Sequence, residues 1–300
     1  MNVELAVKDA AHRLSRVLLG RHRVALFRWV RAQRDLYYLR RADVAVIYFA
    51  KSGSTWLRAL LSRLFQVKYQ LPEQAIIERD NLHKLNSAVP VFLFTHGHYI
   101  QDFKPLSRHY SPYADKKLIF LVRHPADVAV SLYFNTRYRT NPLRKDIKRL
   151  PDDLSQTSIY DFVSNPTWGM PAIIDYFNRW AEAFHAQPRY LLIRYEDLRA
   201  DSAAQLRRIA DFIGEQFSDA AYAEAVQFAS FQNLQDKERR NFFDNRRLQA
   251  RDQANPDSFK VRKGKVGGYR EHFTESELAA LDGMINTRLS PIFGYSRSPV

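Results

Sequence analysis

Four short apolar segments recur along the chain, and each of them ends abruptly in polar residues. Near-continuous apolar runs of this length are typical of parallel strands that are covered on both faces. Segments with helical spacing follow three of them directly, so strands and helices alternate. The pattern therefore predicts an α/β fold with a central parallel sheet flanked by helices, and a site at the carboxyl ends of its strands. The four predicted strands are Val44–Ala50, Val91–Phe94, Leu118–Val122 and Tyr190–Ile193.

The loop after the first strand combines one cation, one glycine and three hydroxyl side chains. A helical pattern follows it, and the unpaired N–H groups and positive dipole end of that helix favour a bound anion. The order of residues differs from the nucleotide loop G-x-x-x-x-G-K-[ST], because here the lysine precedes the glycine. The loop indicates either a phosphate or sulfate site or an ordinary polar turn. Its residues are Lys51, Ser52, Gly53, Ser54 and Thr55, with Trp56 beginning the helix.

The composition of the chain limits the class of protein, the number of domains and the kinds of site. Of the 300 residues, 46% are hydrophobic and 26% are charged, which is typical of a globular chain with a substantial core. No linker divides the chain, so we expect one domain over residues 1–300, with a basic N-terminal helical segment at 1–41 and an α/β core at 42–300. The absence of cysteine excludes disulfides and cysteine-ligated metals. No apolar run is long enough to span a bilayer, and arginines interrupt every candidate signal peptide, so we expect a cytoplasmic enzyme.

The net charge of +14 indicates anionic partners, such as nucleotides, acidic saccharides, acidic lipid surfaces or nucleic acid. Residues 1–41 hold ten Lys and Arg residues among interleaved apolar ones. This segment is either a basic amphipathic helix that rests peripherally on the inner membrane surface, or a helix packed on its own domain.

A second cationic cluster lies towards the C-terminal end of the sequence. Four cations fall within residues 260–265, among them Arg262 and Lys263, beside Gly264. Such runs are usually solvated loops. Together with the loop around Lys51, however, this cluster predicts a ligand with two separated anionic groups.

These segments resemble, in the same order, four motifs of the sulfotransferases that use 3′-phosphoadenosine 5′-phosphosulfate (PAPS), specifically their cytosolic-type branch. The resemblance extends over roughly three quarters of the chain and is that of a divergent, bacterial-type member. It implies a P-loop-like three-layer fold, and in-line transfer of a sulfuryl group from PAPS to a hydroxyl or amine, with PAP as product and no metal. The matching segments are Lys51–Trp56 (family PKSGTTW), Val122–Ser131, Tyr195–Leu198 (YEDL) and Arg262–Tyr269 (RKGxxGDW).

The resemblance also implies a role for each matching residue. Lys51 would contact the bridging oxygen and the sulfuryl group, while Ser52, Gly53, Ser54 and Thr55 would cradle the 5′-phosphosulfate. The 3′-phosphate would be held by Arg123, Ser131, Arg262, Lys263 and Gly264, where guanidinium groups suit bidentate binding. Trp56, Tyr195 and Phe231 would surround the adenine, although each of these aromatic residues could equally belong to the core.

His96 is the candidate catalytic base, because it lies where the family has the histidine of its KTHLP motif. A neutral imidazole near pH 7 can accept the proton that the acceptor hydroxyl loses. If the strand continued, His98 would point to the same side, and the choice between the two histidines stays open at this stage.

Several positions depart from the family pattern. Phe94 replaces the lysine of KTHLP, and Gly268 and Tyr269 replace the aspartate and tryptophan of RKGxxGDW. The family's dimer motif is not matched around Thr274, so the sequence sets no oligomeric state.

Two other functions fit parts of the sequence. A P-loop nucleotide-dependent kinase would require Mg²⁺ and a strand-end aspartate, which the strand ends do not offer. A non-catalytic polyanion or nucleic-acid binding protein would require one continuous cationic stripe. We expect no nucleic-acid partner, since the glycine-containing clusters suit small anions. The sequence leaves the acceptor open between a small molecule, a saccharide and a lipid. The basic segment 136–170 favours an anionic acceptor.

Overall fold

The computed structural model describes residues 22–244 and 264–295. Four strands form one sheet in the order β2-β1-β3-β4, and each neighbouring pair is parallel. The predicted α/β class with a central parallel sheet is therefore confirmed. From β1 the chain crosses to β2 on one side and then to β3 on the other, so β1 and β3 flank the switch point where such sheets bind ligands. The strands are β1 (Val44–Tyr48), β2 (Phe92–Thr95), β3 (Lys117–Val122) and β4 (Tyr190–Arg194).

Helices follow each strand and cover both faces of the sheet. In chain order the α-helices of the described residues are α1 (Arg23–Arg41), α2 (Ser54–Tyr69), α3 (Asn81–Leu85), α4 (His98–Gln101), α5 (Pro125–Tyr138), α6 (Pro142–Lys148), α7 (Ile159–Ser164), α8 (Met170–Ala183), α9 (Tyr195–Ala200), α10 (Ser202–Ile213), α11 (Asp219–Phe228), α12 (Phe231–Arg239) and α13 (Glu275–Arg288). A short 3₁₀ helix at Gly268–His272 precedes α13.

Alternate residues of the strands supply two separate hydrophobic cores, as the period of two in a strand requires. On one face, Ala45 and Ile47 pack with residues of α5 and α8. On the other face, Val44 and Val46 pack with residues of α2, α10 and α11. All five residues of β1 are buried, which explains why its sequence is a continuous apolar run.

The boundaries differ from the sequence prediction at the two junctions that matter most. Strand β1 ends at Tyr48 instead of Ala50, because the backbone turns sharply: Lys51 has φ +76° and Gly53 has φ +94°. The following helix begins at Ser54, two residues earlier than its apolar stripe indicates. Strand β2 ends at Thr95, and Gly97 at φ +71° leads directly into α4. The strand therefore does not continue to His98, which was the condition for both histidines to point to the same side of it.

Helix α1 packs on its own domain through one face. Asp35, Leu36 and Leu39 are buried, and Arg28 donates to the Asp102 carboxylate at 2.6 Å and to the Ile147 carbonyl at 2.7 Å. The opposite face is exposed. Among the helices in the described ranges, none has a stretch long and apolar enough to cross a bilayer.

Candidate active site

The loop between β1 and α2 presents backbone and hydroxyl groups at the switch point of the sheet. Gly53 is the N-cap residue of α2 in the left-handed conformation, and Ser54 and Thr55 form the first turn, partly buried. The Ser52 side chain is fully buried, and its Oγ has no hydrogen-bond partner among the residues that the structure describes. A buried hydroxyl without a partner is costly, so this loop is arranged for an oxygen-bearing ligand.

Gly53 is required because an aromatic ring lies directly against it. A Cβ atom at this position would come within 2.5 Å of Cδ2 of Tyr195. The ring of Trp56 meets the same tyrosine edge-on, with 5.6 Å between ring centroids, and its Nε1 donates to the Ala229 carbonyl at 2.8 Å. Two motifs that are far apart in the sequence, Lys51–Trp56 and Tyr195–Leu198, are thus neighbours in the fold.

The loop that begins at Gly264 reaches the same place. The Tyr195 hydroxyl donates to the Gly264 carbonyl at 3.3 Å, and a Cβ atom on Gly264 would come within 2.9 Å of Cδ2 of Phe231. The structure therefore brings Phe231 and Gly264 to Tyr195, which itself covers the loop around Gly53. Arg262 and Lys263 lie outside the described residues.

Arg123, which follows β3, links these two loops. Its guanidinium donates to the Lys51 carbonyl at 3.4 Å and to the Lys265 carbonyl at 3.0 Å, and lies 4.4 Å from the ring centroid of Tyr195. Its buried Nε has no hydrogen-bond partner within residues 22–244 and 264–295. A guanidinium between two loops at the sheet edge is well placed to bind an anion.

Asp127 was not assigned a role from the sequence, although it organises this region. Its buried carboxylate accepts hydrogen bonds from the backbone N–H groups of Gly267 at 2.9 Å and Tyr269 at 3.0 Å, and lies 3.4 Å from the Arg123 guanidinium. The only signal in the sequence is an acidic residue in the first turn of a helix. Ser131 follows one turn later on the same face of α5 and is partly buried.

His96 lies at the end of β2, with its ring held in a defined orientation. Its Nδ1 is 3.0 Å from the Tyr48 carbonyl oxygen, and its own carbonyl accepts a hydrogen bond from the Tyr176 hydroxyl at 2.6 Å. A carbonyl oxygen only accepts, so Nδ1 carries the proton and Nε2 of the neutral ring keeps its lone pair.

His98 lies beside it in spite of the break in the strand. The two imidazole rings stack with 5.5 Å between their centroids and 27° between their planes. Desolvation of the His98 ring, together with the charges of His96, Arg28 and Lys148, lowers its pKa well below the usual value. His98 is therefore neutral at physiological pH and a weaker base than an ordinary histidine.

Both histidines line a cavity of about 600 Å³. Apolar and aromatic side chains form much of its wall, which is usual for small-molecule sites. Cationic side chains from α1, the end of α6 and α8 complete it. The lining residues include Arg28, Phe49, His96, His98, Gln101, Asp102, Leu132, Lys148, Arg149, Leu150, Trp168, Asp175, Tyr176 and Arg179.

This combination of parallel sheet, anion-binding loop and histidine-lined cavity defines the class of protein. The family model of the sulfotransferase domain matches residues 41–292. The chain belongs to this family, and it is a sulfotransferase. The sequence-based predictions of family, enzyme class and fold are confirmed.

Known relatives are distant in sequence but match over most of their length. Sulfotransferase 2A1 of Mus musculus is 21% identical over 278 residues, covering 86% of this chain and 87% of the relative. The 3-alpha-hydroxysteroid sulfotransferase of Cavia porcellus is 21% identical over 273 residues, covering 87% of this chain and 88% of the relative.

Solved structures support the fold. Mouse sulfotransferase SULT7A1, complexed with PAP, has a TM-score of 0.55 at 20% identity, covering 85% of this chain and 89% of that chain. Retinol dehydratase, in a complex with retinol and PAP, has a TM-score of 0.57 at 20% identity, covering 89% of this chain and 88% of that chain.

Proposed function

We propose that this sulfotransferase moves the sulfuryl group of PAPS to a hydroxyl of a small-molecule acceptor in the cavity, by in-line transfer with His96 as the base. The same geometry would serve an amine. The single observation that carries the proposal is the His96 ring, held as one tautomer at the edge of the cavity and next to the strand that leads into the Lys51 loop. We treat the chain as one domain, in which both loops and the cavity act together.

The residues at the switch point fit the donor. The buried Ser52 Oγ and Arg123 Nε have no hydrogen-bond partner within the described residues, and both are donors that oxyanions would satisfy. The turn at Gly53 opens backbone N–H groups to the same space. When bound, PAPS supplies an activated sulfuryl group on a 5′-phosphate leaving group.

On the donor side, three groups of residues have separate roles. Lys51, with Ser52, Gly53, Ser54 and Thr55, would hold the 5′-phosphosulfate and stabilise the negative charge that builds on the leaving oxygen. Electrostatic stabilisation of this kind makes the largest contribution to the rate of such transfers. Arg123, Ser131 and Gly264, with Arg262 and Lys263, would hold the 3′-phosphate. Trp56, Tyr195 and Phe231 would enclose the adenine.

On the acceptor side, Nε2 of His96 would take the proton from the attacking hydroxyl. The Tyr48 carbonyl, which accepts from Nδ1–H, then stabilises the positive charge that forms on the ring. A base of this kind contributes about 10²–10⁴-fold to the rate. We assign this role to His96 instead of His98, because desolvation and nearby cations lower the pKa of His98.

Two relatives carry names that mention a hydroxysteroid and retinol, which are apolar molecules with a hydroxyl group. The cavity of this chain has apolar and aromatic lining residues besides the two histidines, among them Phe49, Leu132 and Tyr176. We therefore infer a small amphiphilic acceptor with one end apolar.

We also propose peripheral contact of this cytoplasmic enzyme with an anionic membrane surface through the outer face of α1. Leu26, Trp29, Val30 and Tyr37 are 43–49% exposed on this face. Every charged residue of α1 is arginine except Asp35, which is buried on the opposite face. Exposed apolar and aromatic side chains among arginines suit the boundary of an acidic bilayer.

The donor assignment is tested by thermal unfolding of the full-length protein with PAP, compared with ATP and Mg²⁺ and with AMP. A site for two separated anionic groups predicts stabilisation by PAP of about 2–3 kcal/mol at a hundredfold excess over its dissociation constant. Stabilisation by ATP and Mg²⁺ alone would contradict the assignment. The variant Lys51→Met should keep the fold and lose sulfuryl transfer.

A further inference from the structure

The cavity beside His96 carries more positive than negative charge. Among its lining residues, four cationic side chains stand against two carboxylates. Both carboxylates already have arginine partners: Asp102 accepts from Arg28 at 2.6 Å, and Asp175 accepts at 3.0 Å from Arg288, which is not a lining residue. The lining cations besides Arg28 are Lys148, Arg149 and Arg179.

Two of the residues that line the cavity also carry buried hydrogen-bond donors. The indole Nε1 of Trp168 and the amide Nε2 of Gln101 are buried atoms, and within residues 22–244 and 264–295 neither has a hydrogen-bond partner. An indole N–H can only donate, so its partner must be an acceptor atom. Leaving such a group unsatisfied destabilises the protein, and a ligand oxygen would remove that cost.

Helices α1 and α6, which supply Arg28 and Lys148 to the cavity, are packed against each other. Arg28 of α1 donates to the carbonyl of Ile147, the residue before Lys148, at 2.7 Å, which fixes the end of α6 against α1. Ile147 is buried in a small cluster with Ala32 and Tyr99. Lys148 also lies close enough to affect the titration of His98. Arg28 is thus held by two hydrogen bonds, and the backbone that carries Lys148 is packed against α1.

Resting on the proposed function, we infer that the acceptor is an anionic amphiphile: a hydroxyl-bearing molecule with an apolar body and a carboxylate or similar oxyanion group. Its apolar body would pack against residues such as Leu132, Leu150 and the Trp168 ring. Its oxyanion would be held by Lys148 and by the donors of Gln101 and Trp168, in charge-assisted hydrogen bonds. A neutral alcohol of the same shape would leave the Gln101 and Trp168 donors unsatisfied, and a site with buried polar groups rejects such analogues.

The test uses the full-length protein saturated with PAP and three matched pairs of compounds. Each pair is an acid and its methyl ester: a long-chain ω-hydroxy fatty acid, a 3-(hydroxyphenyl)propionic acid and a bile acid. We expect at least one acid to bind about tenfold more tightly than its ester in calorimetry. Tighter or equal binding of every ester, or binding of none of the six compounds, overturns the inference.

Two variants test whether the preference for the acid over its ester comes from the cavity. Lys148→Gln should reduce the ratio of acid to ester affinity several-fold, and Trp168→Phe should do so while keeping an aromatic ring in place. Arg144→Gln is the matched control, because Arg144 is exposed on the same helix and does not line the cavity. An equal change in all three variants, or no change in any, contradicts the proposed site.

The outcome separates this inference from the proposed function. If PAP binds and an ester is sulfated as well as its acid, the sulfotransferase mechanism stands and only the anionic acceptor fails. If PAP does not bind, the proposed donor site itself fails.

Discussion

The Asp127 carboxylate accepts a hydrogen bond at 3.0 Å from the backbone N–H of Tyr269, a residue 142 positions away in the chain. The same carboxylate binds the N–H of Gly267 and lies beside Arg123. One buried side chain therefore joins the helix after β3 to the loop that the sequence assigns to the 3′-phosphate.

Replacing this carboxylate should separate the two parts of the site. In Asp127→Asn one oxygen that accepts a backbone hydrogen bond becomes a donor, so we expect a loss of about 1–3 kcal/mol in the free energy of unfolding. We also expect PAP affinity to fall about tenfold, as measured by calorimetry, because Arg123 and the loop lose their common partner. Asp219→Asn, on α11, removes an exposed pair with Arg207, so it should lower the free energy of unfolding by less than about 1 kcal/mol and leave PAP affinity unchanged. Unchanged PAP affinity in Asp127→Asn would contradict the role of Asp127.

Substitution of Ser52 tests whether its buried hydroxyl serves to bind a ligand and not to stabilise the free protein. Because Ser52 Oγ has no partner among the described residues, Ser52→Ala should raise the free energy of unfolding of the free protein by about 1 kcal/mol and weaken PAP binding. Ser62 is the matched control: it is equally buried, donates to the Arg58 carbonyl at 2.6 Å and accepts from the Ile77 N–H at 2.8 Å. Ser62→Ala should therefore destabilise the protein. Destabilisation by both substitutions would show that Ser52 has a structural partner.

Protonation of His124 should make a measurable contribution to the pH dependence of the free energy of unfolding. Desolvation lowers the pKa of His124 to about 4, and its ring stacks on Tyr269 with 4.7 Å between centroids. Since the unfolded state takes up a proton near pH 6.5 and the folded state does not, stability is lost as the pH falls from about 6.5 to about 4. At pH 5 this amounts to about 2 kcal/mol.

Denaturant unfolding at pH 7.5 and pH 5 measures this effect in the wild type and in His124→Gln. The variant should lose about 2 kcal/mol less between the two pH values, because glutamine does not titrate. An identical loss in both proteins would mean that His124 is protonated in the folded state.

The outer face of α1 should bind acidic vesicles. We expect the protein to co-sediment with vesicles that contain phosphatidylserine and to remain in solution with phosphatidylcholine alone, and salt should weaken the binding. Trp29→Ser should reduce it severalfold. Ile292→Ser, which removes an equally exposed apolar residue elsewhere, is the control. If Trp29→Ser and Ile292→Ser bind the vesicles equally well, the α1 face is not the contact surface. Self-association that does not depend on salt would indicate that this face binds a second copy of the chain instead of a membrane.

The sequence is informative where a single local pattern determines the structure. The apolar run of β1 and the caps of α10 were predictable: Asp201 accepts from the Ala204 N–H at 2.9 Å, and Gly214 ends the helix at φ +81°. The resemblance to family motifs also grouped Tyr195 and Phe231 with Trp56, which follows the loop Lys51–Thr55.

Contacts between distant segments could not be predicted in the same way. No local pattern shows that Asp127 binds backbone groups near Tyr269, or that Arg28 reaches the end of α6. The stacking of His96 on His98 has a similar origin, because it results from the left-handed turn at Gly97 and not from a continuous strand. These relationships depend on tertiary packing, which periodicity does not encode.

The proposed role of His96 as the base is tested by the rate of sulfuryl transfer from radiolabelled PAPS to the acceptor that reacts fastest with the wild type. We expect His96→Ala to lower kcat by about 10²–10⁴-fold while PAP still stabilises the protein as in the wild type. His98→Ala should lower it much less. Transfer by His96→Ala at the wild-type rate, with loss of activity in His98→Ala, would contradict the account.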